Sequence, residues 1–186
     1  NTISALIRVD SEKAREMLLQ LSTFFRSNLQ GARTNVIPLE KELLQVEAYM
    51  KLEQARFPDR YQVEMNIEKG LNNIFLPPFV IQILVENAFK HAFKSRKIDN
   101  LIQVTVNKIN HDILVSVQDN GYGIEEGRLL KLGKESVTSE KGTGSALENL
   151  NKRLISLFGG KAQLNFESSE QGTVVFCKIP YQGMEG

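Results

Sequence analysis

The sequence is poor in the side chains that most often carry covalent or metal chemistry. Its 186 residues include one cysteine, Cys177, and two histidines, His91 and His111. A single cysteine excludes an internal disulfide and a cysteine-built zinc site. It reads most simply as a small core side chain in a reducing compartment. An excess of either charge is also lacking. With 23 basic and 22 acidic side chains the formal charge is +1, which gives no electrostatic footing for nucleic acid or an anionic membrane surface. No apolar run reaches the roughly 20 residues that a bilayer span requires. The most apolar stretch, Ile74 to Val85, is interrupted by Pro77 and Pro78 and ended by Glu86. Neither a signal peptide nor an internal repeat is visible. The chain opens on Asn1 and enters a helical pattern at once, so the expectation is a piece of a longer protein, whose other part could hold membrane segments.

What remains is ordinary globular material, 41% hydrophobic and 24% charged, at the size of one domain or one domain with an appendage. Ile3, Leu6 and Ile7, then Met17, Leu18, Leu21, Phe24 and Phe25, recur at helical spacing, with a break or cap at Asp10-Ser11 and an end at Gln30-Gly31. Pro38 suits the first turn of a second helix, lined by Leu39, Leu43, Val46, Tyr49, Met50 and Leu52 and stopped by Phe57-Pro58-Asp59. Two such helices form a hairpin that cannot bury both its faces alone, which makes a dimeric four-helix bundle the expectation. Beyond Arg60 the pattern changes to α+β. A strand is expected over Tyr61–Glu68, and a helix opening at Pro77-Pro78 and running to about Lys94. Strands at Leu101–Asn107 and Ile113–Gln118 flank a turn at Asn110-His111-Asp112. A Gly/Ser/Lys/Glu-rich segment covers Ile124–Lys141, a helix Ser145–Phe158 capped by Gly159-Gly160, and a closing hairpin Ala162–Glu167 and Thr173–Ile179. A mixed sheet backed by helices follows from this order.

Three segments offer chemistry. In the first, Glu86, Asn87, Lys90 and His91 lie within a helix whose face presents a carboxylate, a neutral oxygen and a cation, a set suited to Mg²⁺ with phosphate. The second, Asp119-Asn120-Gly121-Tyr122-Gly123, follows a strand. Its glycines let a ligand approach the backbone, and its aspartate can accept a hydrogen bond from an adenine amino group. The third, Gly142-Thr143-Gly144, opens a helix, whose unpaired N–H groups favour phosphate. Each alone also has a plain reading: a solvated helix face, a tight turn, a linker before a helix.

Their order narrows the choice. A helix with Glu-Asn, a strand ending in Asp-x-Gly-x-Gly and a glycine-rich helix start resemble the N, G1 and G2 boxes of the GHKL family of ATP-binding domains, and Ile124–Lys141 sits where that family has its ATP lid. More narrowly, Pro77, Gln82, Val85-Glu86-Asn87-Ala88, Lys90 and His91 resemble the LytS-type histidine kinases. So do Leu39-Glu40-Lys41-Glu42-Leu43, Tyr49, Glu53, Arg56 and Phe57, in the manner of their second dimerisation helix. Asn1-Thr2-Ile3, Leu21-Ser22, Phe24-Phe25-Arg26 and Asn28-Leu29 are similar to the end of the first. The chain departs from the family at Ser145, where an aliphatic residue is usual before a Gly or Ala (here Ala146), and it lacks the His-Phe-x-Phe-Asn acceptor motif.

The resemblance implies a two-layer α/β sandwich of the Bergerat (GHKL ATPase) type over residues 59–186, preceded over residues 1–58 by a partial dimerisation hairpin. It implies the ATP-binding catalytic domain of a two-component sensor histidine kinase, using ATP and Mg²⁺. The γ-phosphoryl would pass to a histidine absent from the chain and thence to a response regulator. In that reading Asn87 coordinates Mg²⁺, Asp119 bonds the adenine amino group, and Gly121 and Gly123 allow close backbone approach. Gly142, Thr143 and Gly144 cradle phosphates, Lys90 neutralises phosphate charge, and Glu86 is the base or orienter for the accepting imidazole. His91, a binding-box residue, is expected as a phosphate contact or a packed histidine and not as the acceptor; His111 is a turn residue. Tyr49, Glu53 and Arg56 read as structural, at the joint between helices and ATP domain. The implied partners are a response regulator and a second copy through the N-terminal helices, with no nucleic acid. Membrane attachment would come only through segments outside this chain, which would lie on the cytoplasmic side. The competing expectation is a GHKL ATPase or chaperone-type conformational switch.

Overall fold

The computed structural model describes residues 7–31, 34–57, 60–93, 99–132, 137–139 and 142–181. The expectations placed on Ile3, Leu6, Pro58-Asp59 and Lys94 lie outside these residues. Residues 7–9 form a helical turn that stops at Asp10, and helix α1 spans Ser11–Gly31. The cap expected at Asp10-Ser11 is present: the Lys13 N–H donates to Asp10 Oδ1 at 3.0 Å.

Helix α2 spans Leu39–Arg56. Pro38 stands at its N-cap, one place before the expected first turn. With Ile37 it forms a short strand β1 (Ile37–Pro38) paired antiparallel to β3 (Phe75–Leu76), a bridge the pattern did not reveal. Of the expected apolar stripe Leu39, Val46 and Met50 are buried, while Leu43, Tyr49 and Leu52 are half-buried. Glu42 and Gln45 are buried among them.

Helix α3 (Val80–His91) starts later than Pro77-Pro78 suggested. Pro78 disfavours the helical region for the residue before it, and Phe79 takes a left-handed φ of 68°. The strands β2 (Tyr61–Ile67), β4 (Asn100–Ile109) and β5 (Asp112–Asp119) match expectation to within two residues. A one-turn helix α4 (Glu126–Leu129) and the short strand β6 (Val137–Ser139) lie in the segment read as irregular, and the glycine motif after it forms strand β7 (Gly142–Gly144) before the helix it was expected to open. Helix α5 spans Ser145–Phe158, as expected. The expected strand Ala162–Glu167 is corrected: Gly160–Ala162 is a 3₁₀ turn, and β8 is Asn165–Ser169. The intervening Leu164 N–H donates to Asn151 Oδ1 of α5 at 2.7 Å, which binds this segment to the helix instead of the ladder. Strand β9 (Gly172–Pro180) closes the fold.

The five-stranded sheet has the order β2-β4-β5-β9-β8, with β2 parallel to β4 and the other pairs antiparallel. The parallel pair requires a crossover, and α3 lies in it. Alternation places Ile102, Val104 and Val106 of β4, Ile113, Val115 and Val117 of β5, and Val175, Cys177 and Ile179 of β9 on one buried face. There Val104 faces Val117, and Val115 lies between Val106 and Cys177. Helices α3 and α5 cover this face, and each side chain so buried contributes about 1.5–3 kcal/mol. Leu39, Val46 and Met50 of α2 belong to the same core as the sheet.

Candidate functional site

Helix α3 buries Val80, Ile81, Leu84, Val85, Ala88 and Phe89 and turns its polar stripe outward. On that stripe Glu86 is held from both sides. Its Oε1 accepts from Gln82 Nε2 at 2.9 Å and its Oε2 from Lys90 Nζ at 3.2 Å, along i,i+4 spacing. Asn87 and His91 are half-buried on the same helix. Both Glu86 oxygens are engaged, a geometry that suits an orienting carboxylate.

Strand β5 carries Asp119 at its end, buried by the strands on either side. Asp119 Oδ1 accepts from the N–H of Gly121 at 2.9 Å and of Thr173 at 3.3 Å. Among the described residues no hydrogen bond is made to Asp119 Oδ2. Burial raises the carboxyl's pKa above the usual aspartate value, while these two N–H groups pull it down. The neighbouring Asn120 locks the loop to β4, accepting from Leu101 N–H at 2.8 Å and donating to the Asp99 carbonyl at 2.7 Å.

Gly121 brings the first two segments together. A Cβ there would lie 2.2 Å from the Ala92 carbonyl oxygen at the end of α3, and the Tyr122 N–H donates to that same oxygen at 3.1 Å. Gly123, at φ 73°, leaves no room for a Cβ against the Ser169 carbonyl oxygen. The Ile124 N–H then donates to Ser168 Oγ at 2.8 Å. In this structure the tightness at both glycines is protein against protein: the loop is clamped between the end of α3 and the β8–β9 turn. The third segment joins differently. Gly142–Gly144 pairs antiparallel with Val137–Ser139, Thr138 opposite Thr143, and runs directly into α5. Helix α5 packs on α3, so the glycine strand leads into a helix that contacts the one carrying the Glu86–His91 stripe.

His111 lies in the β4–β5 turn, its carbonyl accepting from Tyr181 N–H. Tyr49 and Glu53 sit at the joint of α2 and the sheet domain. The Tyr49 ring meets Phe89 edge-on at 5.7 Å, and its hydroxyl bonds Glu53. Burial and the Glu53 and Glu86 charges raise its pKa above the ordinary tyrosine value. Arg56 reaches Glu53 at 3.8 Å and lies over Phe57. Sequence reasoning missed Thr173, Ser168 and Gly172. Thr173 faces Asp119 only through the β5–β9 register. Ser168 Oγ lies 3.0 Å from Thr173 Oγ1, and Gly172, at φ 129°, packs on the Asp119 carbonyl. The one local signal was a glycine followed by threonine in an expected hairpin. It also assigned no role to Glu42, a carboxylate at a core position of the Leu39–Val46 stripe.

The family model described as "Histidine kinase" matches residues 1–61, and that described as "Histidine kinase-, DNA gyrase B-, and HSP90-like ATPase" matches residues 78–183. The chain is 62% identical over 180 residues to the sensor protein LytS of Staphylococcus haemolyticus, an alignment covering 97% of this chain and 31% of that protein. It thus spans about a third of the length of the curated relatives it matches. Among solved structures, the histidine kinase domain of the Erythrobacter litoralis EL346 blue-light activated histidine kinase superposes with a TM-score of 0.60 at 19% identity, covering 95% of this chain and 84% of that one. The histidine kinase ThkA, solved in complex with the response regulator protein TrrA, gives 0.59 at 16% identity, over 93% of this chain and 51% of that one.

Proposed function

The chain belongs to the histidine kinase-, DNA gyrase B- and HSP90-like ATPase family, as the ATP-binding catalytic region of a LytS-type two-component sensor histidine kinase, and from that premise we propose how its residues serve the reaction. The observation that carries the reading is Asp119. One oxygen of this buried carboxylate is held by two backbone N–H groups, and the other is left without a donor among the described residues. That is an acceptor preset for the amino group of adenine. The donor groups fit the rest of the nucleotide. Lys90, pinned to Glu86, places positive charge on the outward stripe. Asn87 contributes a neutral oxygen, and the backbone of Gly142, Thr143 and Gly144 leads into the start of α5, where N–H groups favour phosphate.

Among the described residues no three His, Cys, Asp or Glu side chains gather to hold a metal. Mg²⁺ would be held by the Asn87 oxygen together with substrate phosphates and water, the oxygen ligands this ion takes. When bound, Mg²⁺ neutralises phosphate charge. Phosphoryl transfer depends mainly on positioning and charge, so Glu86 acts by orienting the accepting imidazole. Neither His91, on the nucleotide-side helix, nor His111, in a turn, is the acceptor; that histidine lies outside these 186 residues.

We divide the chain by role into residues 1–58, the acceptor-side hairpin, and 59–186, the ATP domain, although α2 shares the domain's core. Ile7 and Val9 in the turn before α1, Leu18, Leu19 and Phe25 along α1, and Leu44 on α2 expose apolar surface that supports pairing with a second copy. A response regulator, the kind of partner with which ThkA was solved, receives the phosphoryl group. No described helix is long and apolar enough to cross a membrane. We place the chain on the cytoplasmic side, where ATP is available, with membrane attachment through other segments. Calorimetry tests the reading: Mg-ATP and Mg-ADP should bind the chain, and no binding by a folded chain would overturn it.

A further inference from the structure

Helix α3 carries Glu86, Asn87, Lys90 and His91, yet nothing in its own sequence caps it. Pro77, Pro78 and Phe79 precede Val80, and no side chain at the cap position bonds the first turn. The first N–H groups of a helix need acceptors. Here the acceptor comes from another element. Glu42 of α2, fully buried, accepts at Oε1 from Ile81 N–H at 2.6 Å and Gln82 N–H at 3.3 Å. A carboxylate also complements the positive end of the helix. The reverse contact holds α2: its Leu39 and Glu40 N–H groups donate to the Ile74 and Asn72 carbonyls, at 2.8 and 3.0 Å, in the segment leading to α3. The start of α3 is held by a side chain of α2, and the start of α2 by the segment before α3. A third element completes the junction, for Arg153 of α5 donates to the Pro78 carbonyl and sets its charge near Glu42.

The junction is costly as a purely stabilising contact. Among the described residues Glu42 Oε2 and Arg153 Nε are buried without hydrogen-bond partners, and an apolar substitute of similar volume is often as stable. What a carboxylate adds is direction, because it accepts from the end of one helix and attracts, by charge alone, a guanidinium on another. Asn87 lies six residues beyond Ile81, about 9 Å along the same rigid helix, so a shift at the cap is carried to the stripe.

We propose that Glu42 and Arg153 are positioning residues of the nucleotide site, a buried junction by which the second helix of the hairpin holds α3, with Asn87, in place against α5 and its glycine-rich start. The inference rests on the nucleotide site proposed above. It makes Glu42 the point where movement of the hairpin reaches the site.

The test titrates Mg-ADP into the whole 186-residue chain at a temperature where circular dichroism shows each variant folded. Glu42→Ala should weaken binding about tenfold. Glu42→Gln, whose amide oxygen can still accept from Ile81 and Gln82, should recover most of that loss. Val46→Ala, a fully buried neighbour on α2, should lower stability and leave affinity unchanged. If Glu42→Ala does not fold, Arg153→Met takes its place, with a smaller loss expected. Unchanged affinity in the folded Glu42 or Arg153 variant, or equal weakening in Val46→Ala, overturns the inference while the nucleotide site stands. A folded wild-type chain that binds no nucleotide overturns both.

Discussion

At Asp119 the physics of one side chain sets two outcomes. Asp119→Asn keeps the shape but can turn an amide donor toward the adenine amino group, so two donors meet where a charged acceptor stood. The loss is about 3 kcal/mol, or roughly a hundredfold in Kd, measurable by calorimetry. Because burial raises this carboxyl's pKa, affinity should fall as pH drops through that raised value and the acceptor is protonated. Glu42 gives a separate pH signature. Burial raises its pKa from 4.5 to about 7, against the Ile81 and Gln82 N–H groups and Arg153, which lower it. The Glu42 charge also acts on Cys177, whose thiol is pushed up to about 12 chiefly by burial. A carboxyl whose pKa is higher folded than unfolded holds its proton more tightly in the folded state. Its contribution is present below pH 4.5 and is lost as pH rises through about 7. The change amounts to about 3 kcal/mol. Urea melts between pH 4.5 and 7.5 should show wild type losing that much more stability than Glu42→Gln as pH rises. Parallel curves would show that Glu42 does not titrate in this range.

Among the elements, helices α3 and α5 show how ends are held. The start of α5 was legible because glycines precede a strongly amphipathic run, and its end because Gly159 and Gly160 follow. The start of α3 was not, because its capping acceptor lies 39 residues upstream of Ile81 and no local pattern announces it. The segment after α5 was misread for a similar reason. Ala162 and Leu164 are both buried, which at alternate positions resembles a strand, but Leu164 is bonded to Asn151 and not to a ladder. Asn151→Ala should leave that N–H buried and unpaired, costing about 1–3 kcal/mol. Equilibrium denaturation would detect it, and an unchanged midpoint would show that the turn holds without Asn151.

For the whole molecule, the exposed apolar residues of α1 and α2 and the closed core of the sheet domain point to different duties. The groove lined by Glu16, Leu19, Gln20, Leu44, Glu47 and Lys51 runs between the two helices. Leu19→Glu with Leu44→Glu should convert a dimer into a monomer in sedimentation equilibrium while Mg-ADP binding persists. A wild-type chain that is monomeric at every concentration would remove the hairpin as a pairing surface. The sequence alone determined the α+β class, the helical pair, the order of the three motifs and the candidate residues of the site, because periodicity, glycine placement and short motifs are local properties of the chain. Only the tertiary structure decided which groups support those residues. Thr173 reaches Asp119 through strand register, Gly121 fits against Ala92 through packing, and Glu42 caps a helix on another segment. Each joins groups far apart in the chain, and burial, not spacing, makes them partners.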